Sequence, residues 1–455
     1  MEKLIYKSRE INTIGFFGLG RSNIGMLSFF KRKYPYIDFV LRIDKPLSDE
    51  NPHREFFKRV IIGAPAARDF YEDVVFLSPS VRRERLSVKS SNTLFSSDAE
   101  FFTEHTHSDV YAITGSDGKS TTVTLCQKLL SSVYSESFAI GNIGEAMTPF
   151  IDKGEDTAAV CEFSSFQLSY FSPHVKRALI TNITKNHLDW HSSYEEYIDA
   201  KENVYRNAQG VVINADCALS SSIGSRYSIF SVYSATKDIR ELALKYKSQN
   251  YVYIKDNTFF HNGKPLLNAD NIVCHGYHNV INFLAATATC CDMDIKDALT
   301  ATAKTFNGLK HRCQTVARIN GVDFIDSSID SSPMRTATTL SSLPDGLIII
   351  LGGKSKGLGF SELIPILFKK AKAVFLTGET GKEIYELIDS EQKRQHAPLY
   401  YAYFPDFDQA VISAATYASS GDKLILSPAS TSFDRFKSFE ERGTYFENLI
   451  NNFHK

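Results

Sequence analysis

Positions 115–121 read Gly115-Ser116-Asp117-Gly118-Lys119-Ser120-Thr121. Gly115 and Gly118 let the backbone turn tightly and approach a ligand with no Cβ in the way. The N–H groups from Gly115 to Ser120 can converge on phosphate oxygens, and a helix starting at the lysine adds the positive end of its dipole. Lys119 can neutralise β- and γ-phosphate charge, and the Ser120 hydroxyl can ligate Mg2+. The usual phosphate loop carries a glycine five residues before its Gly-Lys pair. Here that position is Ile113, so the loop is a shortened variant. ATP and Mg2+ are the expected ligands. The bland alternative, a glycine-rich turn with a surface lysine, is disfavoured by the loop's place between an apolar run and a helical pattern.

Such a loop needs a strand to lead into it and a helix to leave it. Apolar runs that end in Gly, Ser, Thr or Asp recur along the chain, at 13–20, 38–44, 73–80, 109–115, 157–165, 177–184, 210–216, 346–353, 373–379 and 422–430. Near-continuous apolar strands alternating with helices predict an α/β fold of mostly parallel sheets covered on both faces. Ligands then sit at the carboxyl ends of the strands. The series restarts twice, which predicts three domains. These are a Rossmann-like block over 1–103, a phosphate-loop block over 104–307 and a second Rossmann-like block over 308–455. No solenoid repeat or low-complexity linker interrupts them.

Bulk properties narrow the function class. A chain of 455 residues exceeds one ordinary core. Its 43% hydrophobic and 23% charged content is that of a soluble globular protein. A net charge of -1 argues against a nucleic-acid backbone as the main partner. No apolar run is long enough to cross a bilayer, and the N-terminus reads as a strand rather than a signal peptide. The seven cysteines form no C-x-x-C pair, which fits reduced thiols in cytoplasm and argues against zinc.

Read with what lies downstream, the loop resembles that of the Mur ligase family of ATP-dependent amide-forming enzymes. The resemblance covers essentially the whole chain. It is carried by CEFSSFQLSYF (161–171), NITKNHLDWH (182–191), GYHNVINFLAA (276–286), GLKHR (308–312), LGGKSKGLGF (351–360) and LSPASTSFDRFKSFEERG (426–443). The Asp-Asn-Pro-Arg signature of members that add diaminopimelate or lysine is absent. The implied reaction joins D-glutamate to UDP-N-acetylmuramoyl-L-alanine. The resemblance also implies a monomer of the bacterial cytoplasm, with no nucleic-acid partner and no membrane insertion. The chemistry agrees: a carboxylate must be phosphorylated before an amine can displace its oxygen. That needs a phosphate cradle, a divalent cation and positive charge at the developing oxyanion.

Family pattern assigns the remaining residues. Glu162 and His187, each just past an apolar run, are implied Mg2+ ligands with Ser120. Lys201, which by itself reads as a solvated helix lysine, is implied to be carbamylated and to ligate the metal. Carbamylation needs a neutral amine, hence a depressed pKa. Lys119, His187 and Lys201 form the implied catalytic set. Asn282, Arg312 and Asp326 are implied to hold the nucleotide, and Asn142 and Ser164 to lie near substrate and phosphates. Lys356, Ser432, Phe433 and Phe439 are implied to surround the D-glutamate carboxylates. One departure stands out. Many relatives read Asp-Ser-Lys where this chain has Asp326-Ser327-Ser328, so one contact is either lost or supplied by another group, for which Arg335 is a candidate.

The run GFFGLGRSNIG (15–25) is similar to a dinucleotide fingerprint, with Gly18 and Gly20 in the turn, Asn23 at the third position and Asp44 past the next strand. In the family this block holds the UDP moiety, which implies Gly18, Gly20, Arg21, Ser22, Asn23, Asp44 and Ser78 as its contacts. Three rival readings remain: a sister ligase such as a folylpolyglutamate synthase, a nucleotide-binding regulator that makes no bond, and an NAD-dependent reductase.

Overall fold

In the computed structural model the described residues are 3–46, 51–79, 81–87, 92–185, 190–274, 276–355, 357, 359–396 and 398–453. Two compact units divide the chain: Met1–Ile272 with His278–Lys304, and Val273–Tyr277 with Thr305–Lys455.

The first unit holds two large sheets. One comprises β1 (Thr13–Phe17), β2 (Asp38–Ile43), β3 (Arg59–Ile62), β4 (Val74–Leu77) and β5 (Leu94–Ser96), in the order β3-β2-β1-β4-β5 and parallel throughout. Helix α1 (Arg21–Lys33) leaves the end of β1. The other sheet comprises β6 (Asp109–Thr114), β7 (Glu136–Gly141), β8 (Thr157–Glu162), β9 (Arg177–Ile180), β10 (Val211–Asn214), β11 (Ile229–Ser234), β12 (Asn250–Lys255), β13 (Thr258–His261) and β14 (Lys264–Asn268). Its order is β14-β13-β12-β11-β10-β9-β6-β8-β7. The central strands are apolar on both faces because helices cover both: Val110, Tyr111, Ala112 and Ile113 of β6 are all buried. The helices that matter for the site are α2 (Lys119–Leu130), α3 (Tyr194–Arg206) and α4 (Tyr277–Cys290).

The edge β12-β13-β14 is antiparallel, an addition that the search for strand–helix alternation does not anticipate. Its turns explain it. Asp256-Asn257 and Asn262-Gly263 sit at positive φ, as two-residue hairpin turns require.

The second unit contains one sheet, with β15 (Gln314–Ile319), β16 (Val322–Asp326), β17 (Leu347–Gly352), β18 (Ala371–Thr377), β19 (Tyr400–Phe404) and β20 (Lys423–Leu426) in the order β15-β16-β20-β17-β18-β19. All pairs are parallel except β15/β16, joined through Asn320-Gly321 at positive φ. Apolar clusters cover both faces, and α5 (Phe439–Asn451) contributes Phe446 and Ile450 to one of them. Among the described residues no helix is long and apolar enough to cross a membrane.

Candidate functional site

The loop between β6 and α2 is shaped by its glycines and held by its neighbours. Gly115 has φ +147°, and a Cβ there would stand 1.9 Å from Thr181 Oγ1. Gly118 caps α2 in the left-handed region at φ 77°, and its Cβ would meet Asn282 Oδ1 at 2.4 Å. Strand β9 ends at Ile180, and the two residues that follow clasp the loop. Thr181 Oγ1 donates to the Asp117 carbonyl (2.6 Å), and the Asp117 N–H donates to Asn182 Oδ1 (2.9 Å). The Ser116 N–H donates to the Asn182 carbonyl, and the Ser116 hydroxyl bonds Tyr197 Oη of α3 (2.7 Å). Lys119 Nζ donates to the Ser116 carbonyl (2.8 Å), a lysine folded back over the loop it follows. Ser120 and Thr121 are buried in the first turn of α2. Asn282 of α4 accepts from Thr122 Oγ1 and donates to Asn279 Oδ1.

Lys201 lies in the same place. Helix α3 buries one face, and Lys201 is on it, 2% exposed. Its Nζ donates to the Gly115 carbonyl at 2.7 Å and lies 4.6 Å from the centre of the Tyr197 ring. Burial, reinforced by the charge of Lys119, holds its pKa well below the ordinary lysine value, against the opposing pull of Asp117 and Glu162. The sequence alone would put this lysine in solvent; the fold instead makes it a buried amine under the phosphate loop.

Glu162, 1% exposed, ends β8 beside Ile113 of β6 and Gly141 of β7. Asn142 Nδ2 donates to its Oε1 (2.7 Å), while its Oε2 is buried without a hydrogen-bond partner. A buried carboxylate oxygen left without a donor is costly. A cation beside it would remove that cost, and a carboxylate oxygen is the donor type that Mg2+ prefers. His187 lies outside the described residues, and no group of three His, Cys, Asp or Glu that could hold a metal occurs among them. Buried His191 was not singled out by sequence. It bonds Ser165 Oγ at 2.9 Å and packs against Trp190 and Tyr197. The Ser164 hydroxyl is engaged in a capping box with Gln167.

On the first sheet, Gly18 turns at φ 83° where a Cβ would stand 2.7 Å from Ser78 Oγ. Gly20 caps α1. Asn23 is fully buried and donates to the Gly18 carbonyl at 2.8 Å and to Ser78 Oγ at 3.3 Å. It therefore staples the turn from beneath. Arg21 reaches the carbonyls of Gly141, Asn142 and Gly144, linking this turn to the end of β7. Ser22 is half-buried and Asp44 is exposed.

In the second unit His311, held at φ 61°, is buried against fully buried Asp326, with Nδ1 2.6 Å from Oδ2. Arg312 is half-buried beside it. Gly443 of α5 permits this packing: a Cβ there would lie 2.1 Å from His311 Nδ1. Ser328 is fully buried. Its N–H donates to Asp326 Oδ1, its hydroxyl donates to the Phe439 carbonyl (2.8 Å), and it accepts from Arg442 Nε (2.9 Å). Arg335, the candidate substitute cation, is exposed and donates to the Ile329 carbonyl, so it does not replace a side chain at 328. The residue beside Ser328 is Arg442. It belongs to the segment SFEERG, but nothing in its spacing singles it out. Ser432 is buried, Phe439 half-buried and Phe433 62% exposed. Lys356 lies outside the described residues.

Residues 113–290 match the family described as Mur ligase middle domain, and 311–430 match Mur ligase, glutamate ligase domain. The chain is 37% identical over 388 residues to a UDP-N-acetylmuramoylalanine–D-glutamate ligase of Acetivibrio thermocellus, covering 83% of this chain and 82% of that one. A Clostridium botulinum (strain Alaska E43) protein of the same description is 32% identical over 465 residues, covering 99% and 98%. Among solved structures, the UDP-N-acetylmuramate–alanine ligase of Thermotoga maritima superposes with a TM-score of 0.58 at 18% identity, covering 96% of this chain and 99% of that one. That likeness concerns the fold.

Proposed function

Since the chain belongs to the Mur ligase family, we propose that its phosphate loop, Lys201 and Glu162 form the centre where a substrate carboxylate is activated. The enzyme is an ATP-dependent amide-forming ligase that adds D-glutamate to UDP-N-acetylmuramoyl-L-alanine in peptidoglycan synthesis. The alanine carboxylate oxygen attacks the γ-phosphorus of ATP, the bond to the β-phosphate oxygen breaks, and ADP leaves. The D-glutamate ammonium loses one proton to become a neutral amine, which attacks the acyl carbon of the resulting acyl phosphate, and its nitrogen releases a second proton as the carbon–nitrogen bond becomes an amide. The carbon–oxygen bond breaks and phosphate departs.

The single observation that carries the assignment of the centre is the buried amine of Lys201, bonded to the loop carbonyl of Gly115. Lys119 neutralises charge on the transferring phosphoryl group, and Gly115, Ser116, Asp117, Gly118, Ser120 and Thr121 form its cradle, in which the Ser116 and Asp117 N–H groups are held by Asn182 and shape the loop while the N–H groups at the start of α2 face the phosphates. Glu162, Ser120, His187 and a carbamylated Lys201 would hold Mg2+, which when bound supplies positive charge to the phosphate oxygens. A depressed amine pKa supports carbamylation, because the neutral form is the one that adds carbon dioxide.

We assign Asn282, Arg312 and Asp326 to the nucleotide. The turn of Gly18, Gly20, Arg21, Ser22 and Asn23, with Asp44, Ser78, Asn142 and Ser164, is assigned to the UDP substrate. Lys356, Ser432, Phe433 and Phe439 are assigned to D-glutamate. In this reading residues 1–103, 104–307 and 308–455 are the UDP-substrate, ATP and amino-acid domains. A coupled phosphate-release assay tests the proposal. Release is expected only with ATP, UDP-N-acetylmuramoyl-L-alanine and D-glutamate together; equal release without D-glutamate would refute it.

A further inference from the structure

Arg442 is buried in the second unit at 2% exposure, and its hydrogen bonds all end on neutral oxygens. Nε donates to Ser328 Oγ (2.9 Å), Nη1 to the Ser430 carbonyl (3.2 Å), and Nη2 to the carbonyls of Ser328 (2.9 Å) and Ser430 (3.1 Å). No carboxylate among the described residues lies within ion-pair distance of it. Asp434, Asp326 and Asp330 act on it only through space. Two of these are already engaged, Asp326 with His311 and the Ser328 N–H, Asp330 with the Ser427 hydroxyl. A buried cation without a bonded anion carries a large desolvation penalty. Burial accordingly pulls the guanidinium pKa down to about 10.

The surroundings say where a balancing anion would come. The two loops that leave β17 and β20 lie against each other, with the Lys354 N–H donating to the Thr431 carbonyl and the Thr431 N–H to the Lys354 carbonyl. A Cβ on Gly353 would stand 3.1 Å from Arg442 Nη1, so this glycine lets the strand-end backbone lie directly on the guanidinium. The same Arg442 fixes Ser328, whose hydroxyl holds the carbonyl of Phe439. The cation therefore backs both ends of the segment that contains Ser432 and Phe439.

We propose that Arg442 is a positioning residue for the amino-acid substrate. It does not touch the substrate. Its buried charge, carried through Ser328, Ser430 and Gly353, biases the pocket toward a dicarboxylate over a neutral amino acid of the same length. This rests on the assignment of D-glutamate to the pocket of Ser432 and Phe439. It also accounts for a neutral serine at 328, because the positive charge is delivered from α5.

The test compares KM for D-glutamate, KM for ATP, and the kcat/KM ratio of D-glutamate to D-glutamine in the full-length enzyme. In Arg442→Met, close in length but uncharged, the D-glutamate KM should rise about tenfold and the ratio fall about tenfold. KM for ATP should stay within threefold. Arg442→Lys keeps the charge and should keep the ratio within threefold, even with a raised KM. A folded Arg442→Met with D-glutamate KM and ratio within twofold of the parent overturns the proposal. Should the methionine variant fail to fold, the lysine variant decides. Retained discrimination supports the charge argument, and lost discrimination overturns it. A parent enzyme that turns over no D-glutamate would overturn the substrate assignment itself, a separate failure.

Discussion

Replacing Gly118 by alanine adds one methyl group at the point where the phosphate loop becomes helix α2. The structure gives two reasons for trouble there. The residue sits at φ 77°, and a left-handed conformation costs a residue with a Cβ about 1–2 kcal/mol. The new Cβ would also stand 2.4 Å from Asn282 Oδ1, so Asn282 must turn away. That movement disrupts its bonds to Thr122 Oγ1 and Asn279 Oδ1, each worth about 1 kcal/mol net. Reduced freedom of the unfolded chain returns about 0.4–1 kcal/mol. The balance is about 2–3.6 kcal/mol against the native loop. If the loop relaxes out of its turn, the loss appears as weaker nucleotide binding, about 30- to 400-fold. If the loop stays, it appears as a thermal midpoint lowered by about 2–4 °C per kcal/mol. Calorimetric titration with a non-hydrolysable ATP analogue and a thermal melt together capture both routes. Gly154→Ala is the control, since nothing lies within 4 Å of a Cβ there. A Gly118→Ala protein that binds the analogue within threefold of the parent and melts at the same temperature would refute the reasoning.

Two further outcomes follow from the buried charges. The folded-state pKa of Lys201 lies below its unfolded value of 10.5, so the penalty for its ammonium is fully present at low pH and fades as pH rises toward 10.5. In carbonate-free buffer Lys201→Met should therefore lose turnover yet be more stable than the parent at neutral pH. Each unit of depression is worth about 1.4 kcal/mol, and denaturant titrations should show the advantage shrinking from pH 8 to pH 10. A constant or reversed difference would contradict this. Glu162→Gln removes a buried carboxylate with an unpartnered oxygen. Half-maximal activity should then need at least about tenfold more Mg2+, read by titrating the metal in the phosphate-release assay; an unchanged requirement would remove Glu162 from the metal.

Much of the frame was legible because its signals are local. Each of the ten apolar runs overlaps a strand, since a strand buried on both faces must be mostly apolar. The shortened loop was legible because glycine spacing reports backbone geometry directly. The antiparallel edges were overlooked, although Asn262-Gly263 and Asn320-Gly321 carry the hairpin signal; a search for runs followed by helices passes over them. Lys201 and Arg442 were opaque for a different reason. Whether a lysine or arginine on a helix is solvated depends on what covers that face, and here the covering backbone comes from residues 86 and 114 positions away. The same holds for Arg335, which chemistry nominated and the fold leaves exposed.

The grip of Thr181 and Asn182 on the phosphate loop has a kinetic meaning. A free glycine-containing loop must surrender conformational entropy when its ligand arrives, at about 1–2 kcal/mol per residue fixed. Here neighbouring strand ends impose that loss when the sheet assembles, long before any nucleotide is met. ATP thus encounters a rigid mould, and the binding energy of its triphosphate remains available for the reaction coordinate rather than for ordering the chain.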